Sequence, residues 1–340
     1  MPQIPSDQML AALQRDPCVY PHQFDIVTQR VLLASLPEAA LASAVFLDQR
    51  VLQPDTPTAV CAWEEFEKAA SAFPPNAPAY IFHIGHSGST LLSRLVASAA
   101  GAPPLREPLP LRAFAADEAN ALDGAAFLSN EERRRRLALF ERLWARRKGT
   151  VLKATSICNN LIDRVSPDAP VAFIFIRPAA YLTLMLGGAN TIVDLRSFAQ
   201  LRLRRLKAAW PEVGDLSRFS PGELAAMSWL AETCAAAAAE RSFHGVDFDA
   251  FLEEPESALS RLCDALGRPA DEAKLRGAVR GPLMQQYSKA PDHAYSPSVR
   301  RQIMSEDRTL HAAEIKAGLL WLDRAASSFS LGEKALGRFG

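Results

Sequence analysis

The sequence predicts an α/β protein built around a central parallel sheet, and three observations support this prediction. Short apolar runs of strand length alternate with segments in which apolar residues recur every three or four positions, which is the pattern of βαβ units. One such run, at 79–84, leads through a loop of Gly, Ser and Thr into an apolar-periodic helix. The length of 340 residues allows a large core to form around such a sheet.

The region before this first strand is predicted to be helical. Apolar residues have helical spacing over 24–52, as in Phe24, Val27 and Val31, and again over 61–72. A Pro-rich segment at 74–78 follows. We therefore predict an N-terminal helical cap over residues 1–78 and a larger domain over residues 79–340. A separate interaction module is the alternative for the first segment, which is short for a domain.

After the loop, three further apolar runs predict the remaining strands of the sheet, at 150–155, 171–176 and 243–247. Ser156 is predicted to cap the helix that follows the first of these strands. Helical periodicity marks the segments at 130–148, 156–165, 194–209, 222–241, 255–266 and 308–325.

The loop at 85–90 has the composition of an anion-binding turn at the start of a helix. Gly85 and Gly88 let the backbone approach an anion, while Ser87, Ser89 and Thr90 add hydroxyl donors to the amides of the helix N-terminus. The Gly-Lys-Ser/Thr pattern of nucleoside triphosphatases is absent. The loop therefore predicts a phosphate site that serves a reaction other than triphosphate hydrolysis.

Composition gives no sign of a nucleic-acid or membrane partner. Lys and Arg number 38 and Asp and Glu number 38, so the formal net charge is zero. No apolar run reaches the roughly 18–20 residues that span a bilayer, and the N-terminus lacks the features of a signal peptide. We expect a cytoplasmic protein that binds no nucleic acid and does not insert into membranes; its oligomeric state is left open.

The five cysteines are spaced too irregularly for a disulfide framework or a zinc site. We therefore expect buried thiols and no bound metal. The cysteines are Cys18, Cys61, Cys158, Cys234 and Cys263.

Three charged residues stand at or after predicted strand ends, where ligands collect in parallel sheets. Glu107 follows a short break after the loop helix, Lys153 lies in the strand at 150–155, and Arg177 follows the strand at 171–176. Pro108 is expected to hold Glu107 in an extended conformation. A lysine has little structural reason to end a buried strand, so a functional role is favoured for Lys153.

The loop Ser87-Gly88-Ser89-Thr90 resembles the 5′-phosphosulfate-binding loop of the sulfotransferase family, which uses 3′-phosphoadenosine 5′-phosphosulfate (PAPS) as donor. His86 stands where that family has Lys or Arg. The resemblance implies a P-loop-containing, sulfotransferase-like parallel sheet flanked by helices, here with an N-terminal helical addition.

Further matches follow in the family's order. Glu107 is similar in placement to the family's base, Lys153 to the lysine near the sulfonate, and Arg177 to the arginine that binds the 3′-phosphate. Thr183 is the hydroxyl nearest to the position of the family's serine, and 246–269 resembles a helix-starting signature. The resemblance implies catalysis by Glu107, Lys153 and His86, and donor binding by Gly85, His86, Ser87, Gly88, Ser89, Thr90, Arg177 and Thr183.

The resemblance thus implies transfer of a sulfonate group from PAPS to a hydroxyl or amine of a small-molecule or glycan acceptor, without a metal. Two alternatives remain. The chain is an inactive nucleotide-binding or scaffold protein of the same fold, or, less in keeping with the sequence, a P-loop kinase. A kinase needs a metal-holding aspartate at a strand end, whereas the strand at 171–176 is followed by Arg177.

Several conspicuous residues are expected to be structural. His83 lies inside a strand, and Trp229 and Trp321 lie in helical patterns typical of a core. The arginines of 131–136 and 202–205 are expected to form solvated helix faces. Arg300 and Arg301 are weak candidates for phosphate contacts.

Overall fold

The computed structural model describes residues 1–287, 290–294 and 297–340. A five-stranded parallel sheet with helices packed around it forms the centre of the protein, which confirms the predicted fold class. A three-stranded antiparallel sheet precedes it in the chain. None of the described helices is both long and apolar enough to span a membrane.

The N-terminal region contains the antiparallel sheet in addition to helices, so the prediction of a helical segment over 24–52 was wrong. Within that span residues 24–25 and 30–35 belong to strands, where Phe24, Val31 and Leu33 are buried and alternate with more exposed residues, while residues 38–43 and a 3-10 turn at 49–51 are helical. The boundary between residues 78 and 79 stays a prediction. The elements are α1 (Ser6–Leu13), β1 (Val19–Asp25), β2 (Arg30–Ser35), α2 (Glu38–Ser43), β3 (Thr58–Ala62) and α3 (Trp63–Ser71).

The parallel sheet has the strand order β5-β6-β4-β7-β8. The central strand β4 is buried at every position, as expected for a strand covered on both faces. The strands are β4 (Ala79–His83), β5 (Pro104–Arg106), β6 (Val151–Lys153), β7 (Val171–Phe175) and β8 (His244–Asp247).

In the sequence, helices α4 to α10 occur between β4 and β8. Helix α4 starts directly after the loop, and α5 starts at Leu109 after Glu107 and Pro108. The helices are α4 (Ser89–Ala100), α5 (Leu109–Asn120), α6 (Asn130–Trp144), α7 (Pro178–Gly187), α8 (Ala189–Ser197), α9 (Ala199–Lys207) and α10 (Pro221–Ala238).

The C-terminal part follows β8 and includes a short two-stranded sheet. Its elements are α11 (Phe248–Glu253), α12 (Pro255–Ala265), α13 (Glu272–Arg280), β9 (Gln286–Tyr287), β10 (Ala290–Ala294), α14 (Pro297–Leu310), α15 (Ala312–Ser328) and α16 (Ser330–Phe339).

Several predicted boundaries need correction. The segment after β6 forms a 3-10 helix, Ser156–Leu161, without a side-chain cap, so the predicted capping role of Ser156 was wrong. Phe198 divides the predicted helix at 194–209. The helix predicted at 308–325 is divided at His311 between α14 and α15.

The prediction of solvated arginine faces was wrong in part: Arg134 and Arg135 are exposed, as predicted, but other arginines of the same runs are buried. Arg133 is fully buried and bonds Asp117 and Glu118, while Arg202 is fully buried and bonds Glu232. These guanidinium groups join neighbouring helices, because each carries several donors that reach carboxylates on adjacent elements. The predicted core roles of Trp229 and Trp321 are confirmed by their burial.

All five cysteines are free thiols, and four of them are buried. Among the described residues no group of His, Cys, Asp and Glu has an arrangement that could hold a metal ion.

Candidate active site

The loop between β4 and α4 is built from left-handed backbone. Gly85, His86 and Gly88 have φ of 82°, 52° and 74°. A Cβ added at Gly88 would lie 2.1 Å from the Phe248 ring, so this position needs glycine for both its backbone and its close packing. His86 is the one residue of these three that is not glycine, and a residue with a side chain is strained at such a positive φ.

The loop presents polar groups without internal partners toward the start of α4. Gly88 gives the helix no side-chain cap. The Thr90 hydroxyl is buried and has no hydrogen-bond partner among the described residues. Uncapped amides and an unpaired hydroxyl at a helix N-terminus suit an anion, and donor binding by Thr90 stays a prediction. Ser87 differs, because it is fully buried and its hydroxyl donates to the Ile174 carbonyl at 3.3 Å.

A cleft of about 280 Å³ opens over this loop. One end is polar and contains His86, Thr90, Glu107 and Lys153. The other end is mainly apolar, although it also contains Arg300 and Asp307. Its apolar side chains are Leu91, Leu184, Phe248, Leu252, Met284, Ile303 and Met304.

Lys153 and Glu107 form a buried ion pair at the polar end. Lys153 Nζ bonds Glu107 Oε1, and the two residues are 1% and 7% exposed. On the other carboxylate oxygen, Arg112 Nη2 binds Glu107 Oε2 at 2.9 Å. The predicted meeting of Glu107, Lys153 and the loop is thus present in the structure.

The backbone of Glu107 is left-handed, with φ of 57°, and not extended as the following proline led us to predict. Its amide donates to the Lys153 carbonyl at 2.7 Å. This bond and the Lys153 ion pair attach both the backbone and the side chain of Glu107 to β6. The strained conformation is therefore held from two sides.

Two opposing influences act on the Glu107 carboxyl. Burial, the largest single influence, raises its pKa, but the charge and hydrogen bond of Lys153, with the charge of Arg112, lower the pKa to about 2. Glu107 is consequently ionised and weakly basic while Lys153 binds it.

His86 is bound on its far side by a carboxylate. Its Nε2 lies 2.8 Å from Asp194 Oδ2 on α8. Burial raises the pKa of Asp194, but the hydrogen bond from His86 and the charge of Arg202 lower it overall. Asp194 in turn bonds Arg202, which binds the fully buried Glu232 at 3.0 Å. The loop histidine is thus attached to a buried polar network.

His83 has the structural role that the sequence predicted. Its Nδ1 accepts from the Gly85 amide at 2.9 Å, and its Nε2 lies 2.9 Å from the Ala154 carbonyl. Because one nitrogen must accept and the other must donate, these bonds select the neutral Nε2–H tautomer.

Four predicted donor-binding residues are not among those that line the cleft, namely Gly85, Ser87, Arg177 and Thr183. The side chain of Arg177 is 68% exposed and its Nε bonds Asp247 at 3.1 Å. Thr183 is fully buried, and its hydroxyl donates to the Ala179 carbonyl of its own helix. Arg300 lines the cleft instead, where it binds Asp249 at 2.7 Å and lies over the Phe248 ring at 5.7 Å.

Two cleft residues, Phe248 and Asp307, were not found from the sequence, nor was Asp194, which binds the cleft residue His86. The three come from separate helices. Only Phe248 had a usable signal, because it directly follows the last strand of the sheet.

No family model and no curated protein matches this chain. Three solved structures resemble it in part. The sulfotransferase domain from the curacin biosynthetic pathway is 16% identical, covering 65% of this chain and 84% of that chain, with a TM-score of 0.38. The sulfotransferase domain from the Synechococcus PCC 7002 olefin synthase is 16% identical, covering 69% and 95%, with a TM-score of 0.37. Sulfotransferase STF9 from Mycobacterium avium is 12% identical, covering 72% and 79%, with a TM-score of 0.35. These TM-scores are too low to assign a function to this chain, so its function is inferred from the residues of the site.

The packing of Phe248 on the loop makes a prediction about Gly88. Gly88→Ala should destabilise the protein more than Gly101→Ala, measured by urea unfolding. Both glycines have left-handed backbone, and nothing lies within 4 Å of a Cβ added at Gly101. We expect about 1–2 kcal/mol for Gly101→Ala from backbone strain and a further ~1–3 kcal/mol at Gly88 from the clash. Equal losses would show that Phe248 moves aside freely.

The electrostatics of the ion pair make a second prediction. Lys153→Met should raise the pKa of the Glu107 carboxyl above its value of about 2, because burial would then be less strongly opposed. Carbon-13 NMR titration of the glutamate carboxyls measures this, with Glu107→Gln to assign the signal. An unchanged pKa would mean that Arg112 alone keeps the carboxylate charged.

Proposed function

We propose that this protein is a sulfotransferase that moves a sulfonate group from PAPS to an acceptor hydroxyl. The observation that carries the proposal is the buried Lys153–Glu107 ion pair beside a lysine-free, uncapped phosphate-type loop. A sulfonate carries less charge than a γ-phosphate. Stabilising the charge on the departing phosphate therefore requires hydrogen-bond donors and one cation more than it requires a metal.

The loop binds one part of the donor, and the apolar end of the cleft binds another part. The amides at the start of α4 and the Thr90 hydroxyl bind the 5′-phosphate. Phe248, which packs on Gly88 and stacks on Phe251, offers a flat apolar face for the adenine. Arg300, which lines the cleft, binds the 3′-phosphate, a contact that the sequence suggested for Arg177.

Lys153 connects donor binding to the base. The sulfonate and phosphate oxygens of the donor compete with Glu107 for the Lys153 ammonium. As Lys153 turns to them, burial of Glu107 is less opposed and the pKa of its carboxyl rises. Glu107 then becomes a better base at the moment when the donor is in place.

The proposed step exchanges one bond to sulfur for another. The acceptor oxygen forms a bond to sulfur, and the bond between sulfur and the bridging phosphate oxygen breaks. Glu107 takes the hydroxyl proton, while Lys153 and His86 offset the negative charge on the departing 3′,5′-bisphosphate. The products are a sulfate ester, adenosine 3′,5′-bisphosphate and a proton.

Calorimetry tests the donor part of this proposal. Adenosine 3′,5′-bisphosphate should bind at least about tenfold more tightly than ATP, and added magnesium should make no difference. Arg300→Ala should cost about 2–4 kcal/mol for the bisphosphate and little for 5′-AMP. Arg177→Ala, at an exposed ion pair, should cost about 0–1 kcal/mol. Preferential, magnesium-dependent binding of ATP would reject the proposal in favour of a kinase.

Turnover of Glu107→Gln tests the base. The substitution keeps the shape of the side chain and frees Lys153 for the donor, so bisphosphate affinity should not fall. The rate of sulfonate transfer should fall by about 10²–10⁴-fold. A rate within a few-fold of the wild type would assign proton removal to another group, and bisphosphate binding without transfer in the wild type would indicate an inactive donor-binding protein.

A further inference from the structure

A second cavity, of about 480 Å³, is lined by Arg112, which also binds Glu107. It is a groove between the N-terminal region and helix α5. Its lining is mixed: the polar residues are Gln23, Asp48, Gln49, Arg50 and Arg112, and the apolar residues are Phe24, Leu109 and Ala113.

The ion pair between Arg112 and Glu107 lies between this groove and the cleft. Arg112 lines the groove and binds Glu107 Oε2 at 2.9 Å, while Glu107 lines the cleft. The Arg112 side chain is 32% exposed. A hydroxyl that enters from the groove therefore reaches Glu107 by replacing one partly exposed side chain.

The N-terminal region also contacts the ion pair directly. The Phe46 ring lies between two cations, with Lys153 Nζ 5.6 Å from its centroid and the Arg50 guanidinium carbon 4.5 Å from it. The adjoining Leu47 amide donates to the Arg106 carbonyl at 2.8 Å, one residue before Glu107. The segment around residues 46–50 is thus fixed against the reacting end of the cleft.

The groove offers both hydrogen-bond donors and acceptors. Gln49 Nε2 donates to Gln23 Oε1 at 3.0 Å, and Arg50 Nε donates to Asp48 Oδ1 at 2.8 Å. An apolar alcohol would cover these groups without pairing them, which costs free energy. A molecule with several hydroxyls can both donate to and accept from them.

We propose that this groove binds the acceptor and that the acceptor is a hydroxyl-rich, carbohydrate-like molecule. The inference rests on the proposed function, because the hydroxyl presented at Glu107 is the one that attacks sulfur in the step given above. It also gives the N-terminal region a role, namely to form one wall of the acceptor site.

Saturation-transfer NMR tests the groove without the donor. The probes are methyl glucoside, methyl galactoside and methyl mannoside, with 4-nitrophenol as the apolar comparison. At least one glycoside should receive saturation from the wild type, and its signal should fall about fivefold or more in Gln49→Leu and in Ala113→Trp. Gln200→Leu, an exposed glutamine on α9, is the matched control and should match the wild type. Gln49 is exposed too, so Gln49→Leu remains informative if Ala113→Trp folds poorly.

Transfer of ³⁵S from labelled PAPS to the same probes completes the test. Labelled glycoside, with a KM raised in Gln49→Leu and bisphosphate affinity unchanged, supports the inference. Preference for 4-nitrophenol overturns it, and so does the absence of any glycoside signal. Glycoside binding that is unchanged in both Gln49→Leu and Ala113→Trp also overturns it. If a glycoside binds in the groove but the bisphosphate does not bind in the cleft, the proposed function fails and the groove assignment stands.

Discussion

The buried ion pair between Lys153 and Glu107 is the interaction on which the site depends. Two ionised groups taken out of water are costly unless they compensate each other. Here the pair joins the end of β6 to the residue after β5, and a backbone bond between the same two residues reinforces it. The ion pair and the strained backbone of Glu107 are therefore fixed together at the edge of the sheet, close to the loop at 85–90.

The same pattern recurs around the cleft, where three basic side chains are bound by carboxylates. His86 pairs with Asp194, Arg300 with Asp249 and Lys153 with Glu107. Paired cations avoid the cost of isolated buried charge, yet remain able to turn toward an anion that competes for them. An anionic donor that takes one of these cations therefore changes the basicity of the carboxylate left behind.

The N-terminal region and helix α14 contact cleft residues from different parts of the chain. Phe46, in the segment between α2 and β3, contacts Lys153, and Arg300, on α14, contacts Phe248. The sheet fixes the reacting residues at the ends of parallel strands, while these later and earlier segments supply the walls. Binding specificity then lies in surface segments, and the chemistry lies on rigid elements.

Local patterns in the chain were enough to predict the α/β class, the phosphate-type loop and the nearness of Glu107 and Lys153, because strand-end positions in a parallel sheet converge on one edge. Periodicity could not separate strand from helix at 24–52, where short apolar runs suit both. The burial of Arg133 and Arg202 became visible only in the folded protein, since their carboxylate partners on other elements are distant or unmarked in the sequence. The same is true of the finding that Arg300, and not Arg177 or Thr183, lines the cleft, and that Asp194 binds the loop histidine. Such pairings depend on how helices pack, which no local pattern of residues encodes.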